Sequence, residues 1–179
     1  MIIKKEFSST GLVLLEPNVY YDSRGYFYES YNQIEFNKIF NRDIIFVQDN
    51  ESESKYGTIR GFHFQNSPFS QEKLVRVVYG EIIDVAVCID RNSKNFGEYT
   101  QVTLCDQKKN LFWIPKGYAH GFQVLSESAI INYKVTNYYN KDNEVCIRYD
   151  DKNINFNWPI KNYIISEKDK NGINLSEIL

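Results

Sequence analysis

The sequence predicts an all-β protein, a jelly-roll β-barrel or β-sandwich with short peripheral helices. Aromatic residues make up 16% of the chain, including 14 tyrosines and 12 phenylalanines, and such residues favour strands. Short apolar runs alternate with turn signals about every ten residues, which is the pattern of antiparallel sandwiches and barrels. Helical periodicity is scarce by comparison.

The N-terminal part is expected to contain three strands and a helix. Residues 10–16 form a short apolar run that ends at Pro17, which predicts a strand. Residues 19–31 are aromatic on both sides of the segment 22–25, so this segment should be the turn between two strands. Residues 32–40 carry apolar side chains at helical spacing and predict a short helix.

Most of the remaining chain predicts further strands. The expected strands are 43–48, 58–65, 99–104, 110–114, 121–125, 129–135 and 145–149, with polar loops over 52–57 and 67–72. Residues 73–90 form the clearest β stretch, with a break at Gly80 and Glu81. Beyond Pro159 we expect a polar tail with one short helix.

Composition excludes several classes of protein. The 179 residues suffice for one domain, which we take as 1–179. The net charge of −2 argues against a nucleic-acid partner, and no apolar run approaches the roughly eighteen residues of a membrane helix. The first residues lack the apolar stretch of a signal peptide. A cytoplasmic protein without a membrane partner is therefore expected.

The histidine and cysteine counts restrict metal and disulfide chemistry. His63 and His120 are the only histidines, so a three-histidine site is impossible. Neither lies in the short His-x-His spacing typical of a two-histidine, one-carboxylate site, and we expect no metal. Cys88, Cys105 and Cys146 are too widely spaced for a disulfide framework, and we interpret them as small apolar fillers.

Polar residues are unusually frequent on or beside the predicted central strands. They are Gln48, Asn50, Arg60, His63, Gln65 and Lys73. Burying many polar groups without partners is costly, whereas jelly rolls bind small molecules in an apolar pocket that carries a few inward polar groups. Strand alternation places Gly61 and Gln65 on the same face as His63. The residues alone therefore indicate a small-molecule-binding barrel, with a hydrogen-bonded core histidine as the alternative for His63.

An ordered series of motifs resembles one enzyme family over about residues 14–169. The motifs are 46–50 (FVQDN), 57–65 (GTIRGFHFQ), 73–77 (KLVRV), Gly80, 84–87 (DVAV), 113–122 (WIPKGYAHGF) and 133–134 (YK). This series closely resembles the dTDP-4-dehydrorhamnose 3,5-epimerase family. The resemblance implies a cupin-type jelly roll and a cofactor-free homodimer. It also implies a substrate, dTDP-4-dehydro-6-deoxy-D-glucose, whose C3 and C5 are inverted to give dTDP-4-dehydro-L-rhamnose.

The resemblance further implies roles for four residues. A proton next to the C4 ketone is weakly acidic, so the reaction needs a base, a cation or donor for the enolate oxygen, and an acid on the opposite face. By resemblance, His63 is the base, and Asp169 in the segment 166–169 (SEKD) orients it. Tyr133 is the proton donor, and Lys73 stabilises the enolate.

Further positions match the substrate-binding residues of the family. They are Glu29, Gln48, Asn50, His120, Tyr139, Glu144 and Lys168. Arg24 and Arg60 are expected to meet the diphosphate, because guanidinium groups suit phosphate oxygens. The aromatic residues around Tyr20 and 26–28 are expected to stack on the nucleotide base, across the dimer.

Some positions depart from the family pattern and keep alternatives open. Cys88 and Asp90 stand where an aspartate and an arginine are usual, and 148–151 (RYDD) stands where Trp-Asn-Asp is common. The enzyme alternatives are an epimerase that inverts only C3 or C5 and a 3,4-ketoisomerase. The others are a non-catalytic sugar-binding cupin and a metal-dependent cupin oxygenase.

Overall fold

Two antiparallel β-sheets form the body of the protein, in a computed structural model that describes residues 2–7 and 10–178. The six-stranded sheet has the order β1 (Ile2–Glu6), β2 (Val13–Glu16), β10 (Leu111–Ile114), β7 (Lys73–Tyr79), β12 (Ser128–Val135), β5 (Gln48–Lys55). The five-stranded sheet has the order β13 (Glu144–Cys146), β6 (Ile59–Gln65), β11 (Tyr118–Val124), β8 (Glu81–Cys88), β9 (Tyr99–Cys105). A separate hairpin consists of β3 (Tyr20–Asp22) and β4 (Gly25–Phe27). The predicted all-β class is confirmed.

The two sheets enclose the main hydrophobic core. Buried side chains from both sheets meet there, among them Val75 of β7, Ile82 of β8 and Phe112 of β10. Burial of each such side chain stabilises the fold by roughly 1.5–3 kcal/mol. The core also holds the strand register, because a slip by one residue would turn each apolar set outward.

The C-terminal segment covers the outer face of the five-stranded sheet. Trp158 stacks on Phe62 of β6, with 5.4 Å between ring centroids, and Leu175 and Ile178 are buried in the same cluster. The predicted short helix is present as α2 (Glu167–Lys170). The prediction of a polar tail is wrong for Leu175 and Ile178, which are buried in this second hydrophobic cluster.

Helix α1 (Gln33–Phe40) covers the outer face of the six-stranded sheet. Asn32 caps the helix, since its side chain accepts a hydrogen bond from the Glu35 backbone N–H. The helix buries Phe36 against Trp113 of β10, with 5.3 Å between ring centroids. No helix in the described ranges has the length and apolar character needed to cross a membrane.

Two neighbouring predictions are wrong between residues 43 and 57. Residues 43–47 belong to no strand, because Ile44 is buried in the cluster beneath α1 instead of joining a sheet. The expected loop over 52–57 is largely part of β5, which pairs with β12 along its whole length. Alternate positions of β5 face inward, and these are polar, so a hydrophobic pattern misses the strand. The sequence also does not predict β1.

A pair of glycines lets β6 and β11 approach each other closely. The φ of Gly61 is +126°, and a Cβ at this position would lie 2.5 Å from the Cα of Gly121. Only glycine fits such a contact without a shift of the backbone. His63 and His120 are partners in the register of these two strands, so the close approach brings both histidines side by side.

Candidate active site

A cavity of about 560 Å³ opens between the two sheets beside His63. A volume of this order suits a small-molecule ligand. The cavity brings together most of the predicted site residues, namely Arg60, His63, Lys73, His120, Tyr133, Tyr139, Glu144, Lys168 and Asp169.

His63 and Asp169 form a short hydrogen bond in the cavity wall. The distance from His63 Nε2 to Asp169 Oδ1 is 2.6 Å. Ser166 caps α2 by accepting a hydrogen bond from the Asp169 backbone N–H at 3.1 Å, which holds the carboxylate in position. The His63 side chain is 29% exposed and that of Asp169 is 5% exposed. The imidazole is therefore the member of the pair that is open to a ligand.

Asp169 stays ionised although it is buried. Burial raises the pKa of its carboxyl group, but hydrogen bonding and charge interaction with His63 bring that pKa below its ordinary value, with help from Cys146 and Ser166. An ionised carboxylate accepts the proton on His63 Nε2, so the neutral imidazole keeps a free lone pair on Nδ1. The arrangement can therefore present a base.

Cys146 adjoins the same carboxylate. It lies in β13 opposite His63 in register, and its Sγ donates a hydrogen bond to Asp169 Oδ1 at 3.4 Å. Burial, assisted by the charge of Asp169, raises the pKa of the thiol to about 12. The interpretation of the cysteines as apolar fillers is wrong for Cys146. Within the described residues, these three side chains are also the group able to hold a metal ion.

Lys73 is a buried cation beneath His63. It begins β7 and is only 8% exposed, and its Nζ donates a hydrogen bond to the His63 carbonyl oxygen at 3.2 Å. Burial lowers the pKa of Lys73 to about 8, against the opposing charges of Asp84 and Glu144. Lys73 is therefore mostly charged at neutral pH, in a setting of low polarity where an anion can be stabilised.

His120 forms a second pair with a carboxylate, deeper in the protein. Its Nε2 lies 2.9 and 2.8 Å from the two carboxylate oxygens of Asp84. Burial lowers the pKa of His120, although Asp84 opposes this shift, so the imidazole is held neutral. Asp84 is not among the predicted site residues. Its signal is a charged residue within an apolar strand, which needs a buried partner.

Tyr133 and Arg60 line the cavity from different sheets. Burial raises the pKa of the Tyr133 phenol, against the nearby charge of Arg60, so the phenol keeps its proton. Arg60 donates a hydrogen bond from Nε to Ser54 Oγ at 2.9 Å. The inward polar face of β5 thus positions the guanidinium group at the cavity.

The cavity mouth carries a polar cluster of three residues. Glu144 forms an ion pair with Lys168 at 2.5 Å and accepts a hydrogen bond from the Tyr139 hydroxyl at 2.9 Å. Burial raises the pKa of Glu144, but the hydrogen bonds from Lys168 and Tyr139 bring it below its ordinary value. The cluster therefore presents one carboxylate, one ammonium group and one phenol to a ligand.

Four predicted binding residues lie outside the wall of this cavity. Arg24, between β3 and β4, forms an ion pair with Asp22 at 2.6 Å, and its side chain is 88% exposed. Glu29 is likewise exposed. On β5, the Gln48 amide donates a hydrogen bond to Asn50 Oδ1 at 2.7 Å. One copy of the chain therefore does not bring Arg24 or Glu29 to its own cavity.

Comparisons of the sequence with known proteins agree on one family. The family model for dTDP-4-dehydrorhamnose 3,5-epimerase matches residues 6–177. A relative from Shigella flexneri, named dTDP-4-dehydrorhamnose 3,5-epimerase, is 46% identical over 171 residues, covering 96% of this chain and 93% of the relative.

Solved structures show the same likeness. A dTDP-6-deoxy-D-glucose-3,5-epimerase from Legionella pneumophila, in complex with dTDP-4-keto-L-rhamnose, superposes with a TM-score of 0.93 at 41% identity, covering 99% of this chain and 94% of that one. A 3'-monoepimerase from Streptomyces bikiniensis, in complex with dTDP-quinovose, has a TM-score of 0.88 at 26% identity, covering 94% and 86%. The cupin-type β fold implied by the motifs is confirmed.

Proposed function

The chain belongs to the dTDP-4-dehydrorhamnose 3,5-epimerase family, and we propose that it performs the reaction of that family by acid–base chemistry centred on His63. The substrate is dTDP-4-dehydro-6-deoxy-D-glucose, and inversion at C3 and C5 gives dTDP-4-dehydro-L-rhamnose. One observation carries the catalytic assignment, namely the 2.6 Å hydrogen bond between His63 Nε2 and Asp169 Oδ1 in the cavity wall. A protein that only binds a sugar has no use for an oriented base.

His63 begins the proposed mechanism by removing a proton next to the C4 ketone through Nδ1. Asp169 holds the Nε2 proton and stabilises the imidazolium that forms. Loss of the substrate proton leaves an enolate with its charge on the C4 oxygen, and Lys73 stabilises this charge. Burial of the cation strengthens that interaction, because charges interact more strongly where water is excluded.

Tyr133 returns a proton to the opposite face of the sugar. Inversion requires removal on one face and delivery on the other. Tyr133 belongs to the six-stranded sheet and His63 to the five-stranded sheet, so the two residues are suited to act from opposite sides. The burial that raises the pKa of the phenol keeps it protonated and ready to donate.

A homodimer is the proposed setting for nucleotide recognition. The β3–β4 hairpin exposes two cross-strand aromatic pairs, Tyr20 with Phe27 and Tyr21 with Tyr26, and each of these residues is more than half exposed. Exposed aromatic residues grouped on one short hairpin are typical of an interface. Arg24 on this hairpin then contacts the diphosphate of the substrate bound in the cavity of the other subunit. Arg60 contacts the diphosphate bound in its own cavity.

The reaction is proposed to need no cofactor and to take place in the cytoplasm. The cysteines are free thiols buried within the protein, and such thiols persist in a reducing compartment. The negative charge of the enolate is met by Lys73, so the proposed steps involve no cofactor.

Proton NMR in D2O with dTDP-4-dehydro-6-deoxy-D-glucose tests the function. Hydrogen at both C3 and C5 should exchange with solvent, and the product should have both centres inverted. Exchange at a single carbon would contradict the 3,5 assignment and support the monoepimerase alternative.

The same experiment with Tyr133→Phe tests the proton donor. Loss of inverted product should exceed loss of deuterium incorporation, because His63 is still able to remove and return a hydrogen on its own face. Equal loss of both signals would mean that Tyr133 is required for enolate formation. Unimpaired inversion would assign the donor role to another residue, with Tyr139 the first candidate.

A further inference from the structure

Three different metal-binding atoms meet behind the proposed base. A ring nitrogen of His63, the Sγ of Cys146 and a carboxylate oxygen of Asp169 all lie within 4.8 Å of one another, and Nε2 is the ring nitrogen that faces Asp169. Among residues 2–7 and 10–178, no other His, Cys, Asp and Glu side chains form such a group of three. Cys146 is 9% exposed and Asp169 is 3% exposed, whereas His63 opens towards the cavity.

The spacing of these atoms suits a tetrahedral zinc ion. Ligand atoms about 2.0–2.3 Å from zinc lie about 3.3–3.8 Å from one another. Cys146 Sγ is already 3.4 Å from Asp169 Oδ1. The 2.6 Å between His63 Nε2 and Asp169 Oδ1 has to widen by about 0.7 Å, so one of these two side chains has to shift when the ion binds.

The ligand set also selects the kind of cation. One nitrogen, one sulfur and one oxygen favour a borderline-soft ion such as Zn²⁺ over a hard ion such as Mg²⁺. Three protein ligands leave a fourth position for water, as in open zinc sites. His63 and Asp169 both line the cavity, which is the source of that water.

We propose that His63, Cys146 and Asp169 form an inhibitory site for a thiophilic divalent cation such as zinc. Coordination through Nε2 transfers the remaining ring hydrogen of His63 to Nδ1 by way of solvent. Cys146 releases its thiol proton to solvent, so one proton leaves per ion bound. The imidazole stays neutral but no longer has a free lone pair, and it is unable to act as the base.

Ion binding and inhibition of turnover have different requirements. Ion binding depends only on the three ligands, whereas inhibition rests on the proposed role of His63 as the base. The His120–Asp84 pair serves as a comparison within the same protein, because no thiol is grouped with these two residues in the described part of the chain. That pair should not bind the ion.

Cobalt binding to the metal-free protein tests the site without turnover. A thiolate bound to Co²⁺ produces an intense near-ultraviolet absorption band, which we expect for the wild type and not for Cys146→Ala. Cys105→Ala is the matched control, because Cys105 is a buried thiol of β9 away from the cavity lining, and it should keep the band. Cys146→Ser retains a hydrogen-bonding group of similar size, and replaces the alanine variant if that variant does not fold.

Zinc inhibition of epimerase activity tests whether an ion bound at this site prevents His63 from acting as the base. Even residues that only support metal ligands change affinity by roughly 10–100-fold, so loss of a direct ligand should raise the inhibitory zinc concentration at least about tenfold in Cys146→Ala. Each variant is compared with its own metal-free activity. Chelation of zinc by the substrate diphosphate affects all variants equally and therefore cancels. Mg²⁺ should not inhibit, and EDTA should restore activity.

Two outcomes would overturn the proposal in different ways. If the wild type shows no thiolate band, or Cys146→Ala shows an equal one, the metal site does not exist, and the proposed epimerase function is unaffected. If cobalt binds through Cys146 but zinc inhibits the wild type and Cys146→Ala equally, or neither of them, the inhibitory role is wrong. Cobalt binding through Cys146 with no zinc inhibition of the wild type would also count against His63 as the base.

Discussion

The protein contains two histidine–aspartate pairs that differ in location more than in chemistry. His63 and His120 are register partners on neighbouring strands, and their Nε2 atoms lie 2.6 and 2.8 Å from the nearest oxygens of Asp169 and Asp84. The His63 side chain is 29% exposed and the His120 side chain 9% exposed. A base must reach a ligand, so exposure, and not the hydrogen bond itself, distinguishes the candidate catalytic pair.

The two carboxylates also reach their histidines by different routes. Asp84 lies on β8, the strand paired with β11, in the same sheet as His120. Asp169 comes from α2, in the segment that wraps back over that sheet. The His120–Asp84 pair therefore forms within one sheet, whereas the His63–Asp169 pair forms only when the C-terminal segment packs against that sheet. Four experiments test this difference between the two pairs.

The largest expected effect is on turnover after the change His63→Ala. Turnover should fall by roughly 10²–10⁴-fold, because this is the contribution of a positioned general base. Circular dichroism should show an intact fold, since the side chain lies at the cavity wall. The matched change His120→Ala should lower the melting temperature more than His63→Ala does. A folded His63→Ala protein with nearly normal exchange at C3 and C5 would refute the distinction.

Replacing each carboxylate by its amide should separate catalysis from stability. Asp84→Asn weakens a buried hydrogen bond to a charged group and should cost about 1.5–3 kcal/mol of unfolding free energy, measured with denaturant. Asp169→Asn should cost less stability but lower kcat at least about tenfold, because the amide can donate to Nε2 and shift the ring hydrogen to Nδ1. The reverse ranking of the two variants would contradict these assignments.

Lys73 lies near both pairs and should make activity depend on pH. Because burial lowers the pKa of Lys73 to about 8, kcat/KM should fall as the pH rises through that value, since the cation that is proposed to stabilise the enolate is then lost. Its stability contribution has the opposite sign. Between pH 8 and the ordinary value of 10.5, the unfolded chain binds more protons, so this contribution rises with pH. Lys73→Met should show neither the fall in kcat/KM nor the rise in this stability contribution. If kcat/KM of the wild type stays constant well above pH 8, Lys73 does not stabilise the enolate as a cation.

The smallest expected effect concerns Arg24, which is remote from both pairs. Arg24→Ala should weaken dTDP binding by about tenfold, the equivalent of one charge-assisted hydrogen bond, and leave kcat nearly unchanged. Calorimetry with dTDP measures the affinity, and sedimentation confirms that the oligomeric state is unchanged. Unaltered affinity in this variant would contradict the assignment of Arg24 to the diphosphate.

Local patterns in the sequence determine most of the strands of this protein. The break at Gly80 divides β7 from β8 as predicted, and the aromatic segments on either side of 22–25 form the β3–β4 hairpin. These features depend on side-chain alternation and turn residues within a few positions of one another. Where alternation is polar instead of apolar, as in β5, the hydrophobic signal fails although the strand is present.

Which residues meet at the site is decided only by the tertiary structure. Motif resemblance nominates His63 and Asp169, but their separation of 106 positions is bridged by the docking of α2. Cys146 has no local signal at all, because its contact with Asp169 depends on the pairing of β13 with β6. The burial that lowers the pKa of Lys73 is equally a product of packing. Sequence periodicity determines where a strand forms and which side chains face inward. Contacts between distant segments depend on how the sheets and the C-terminal segment pack together.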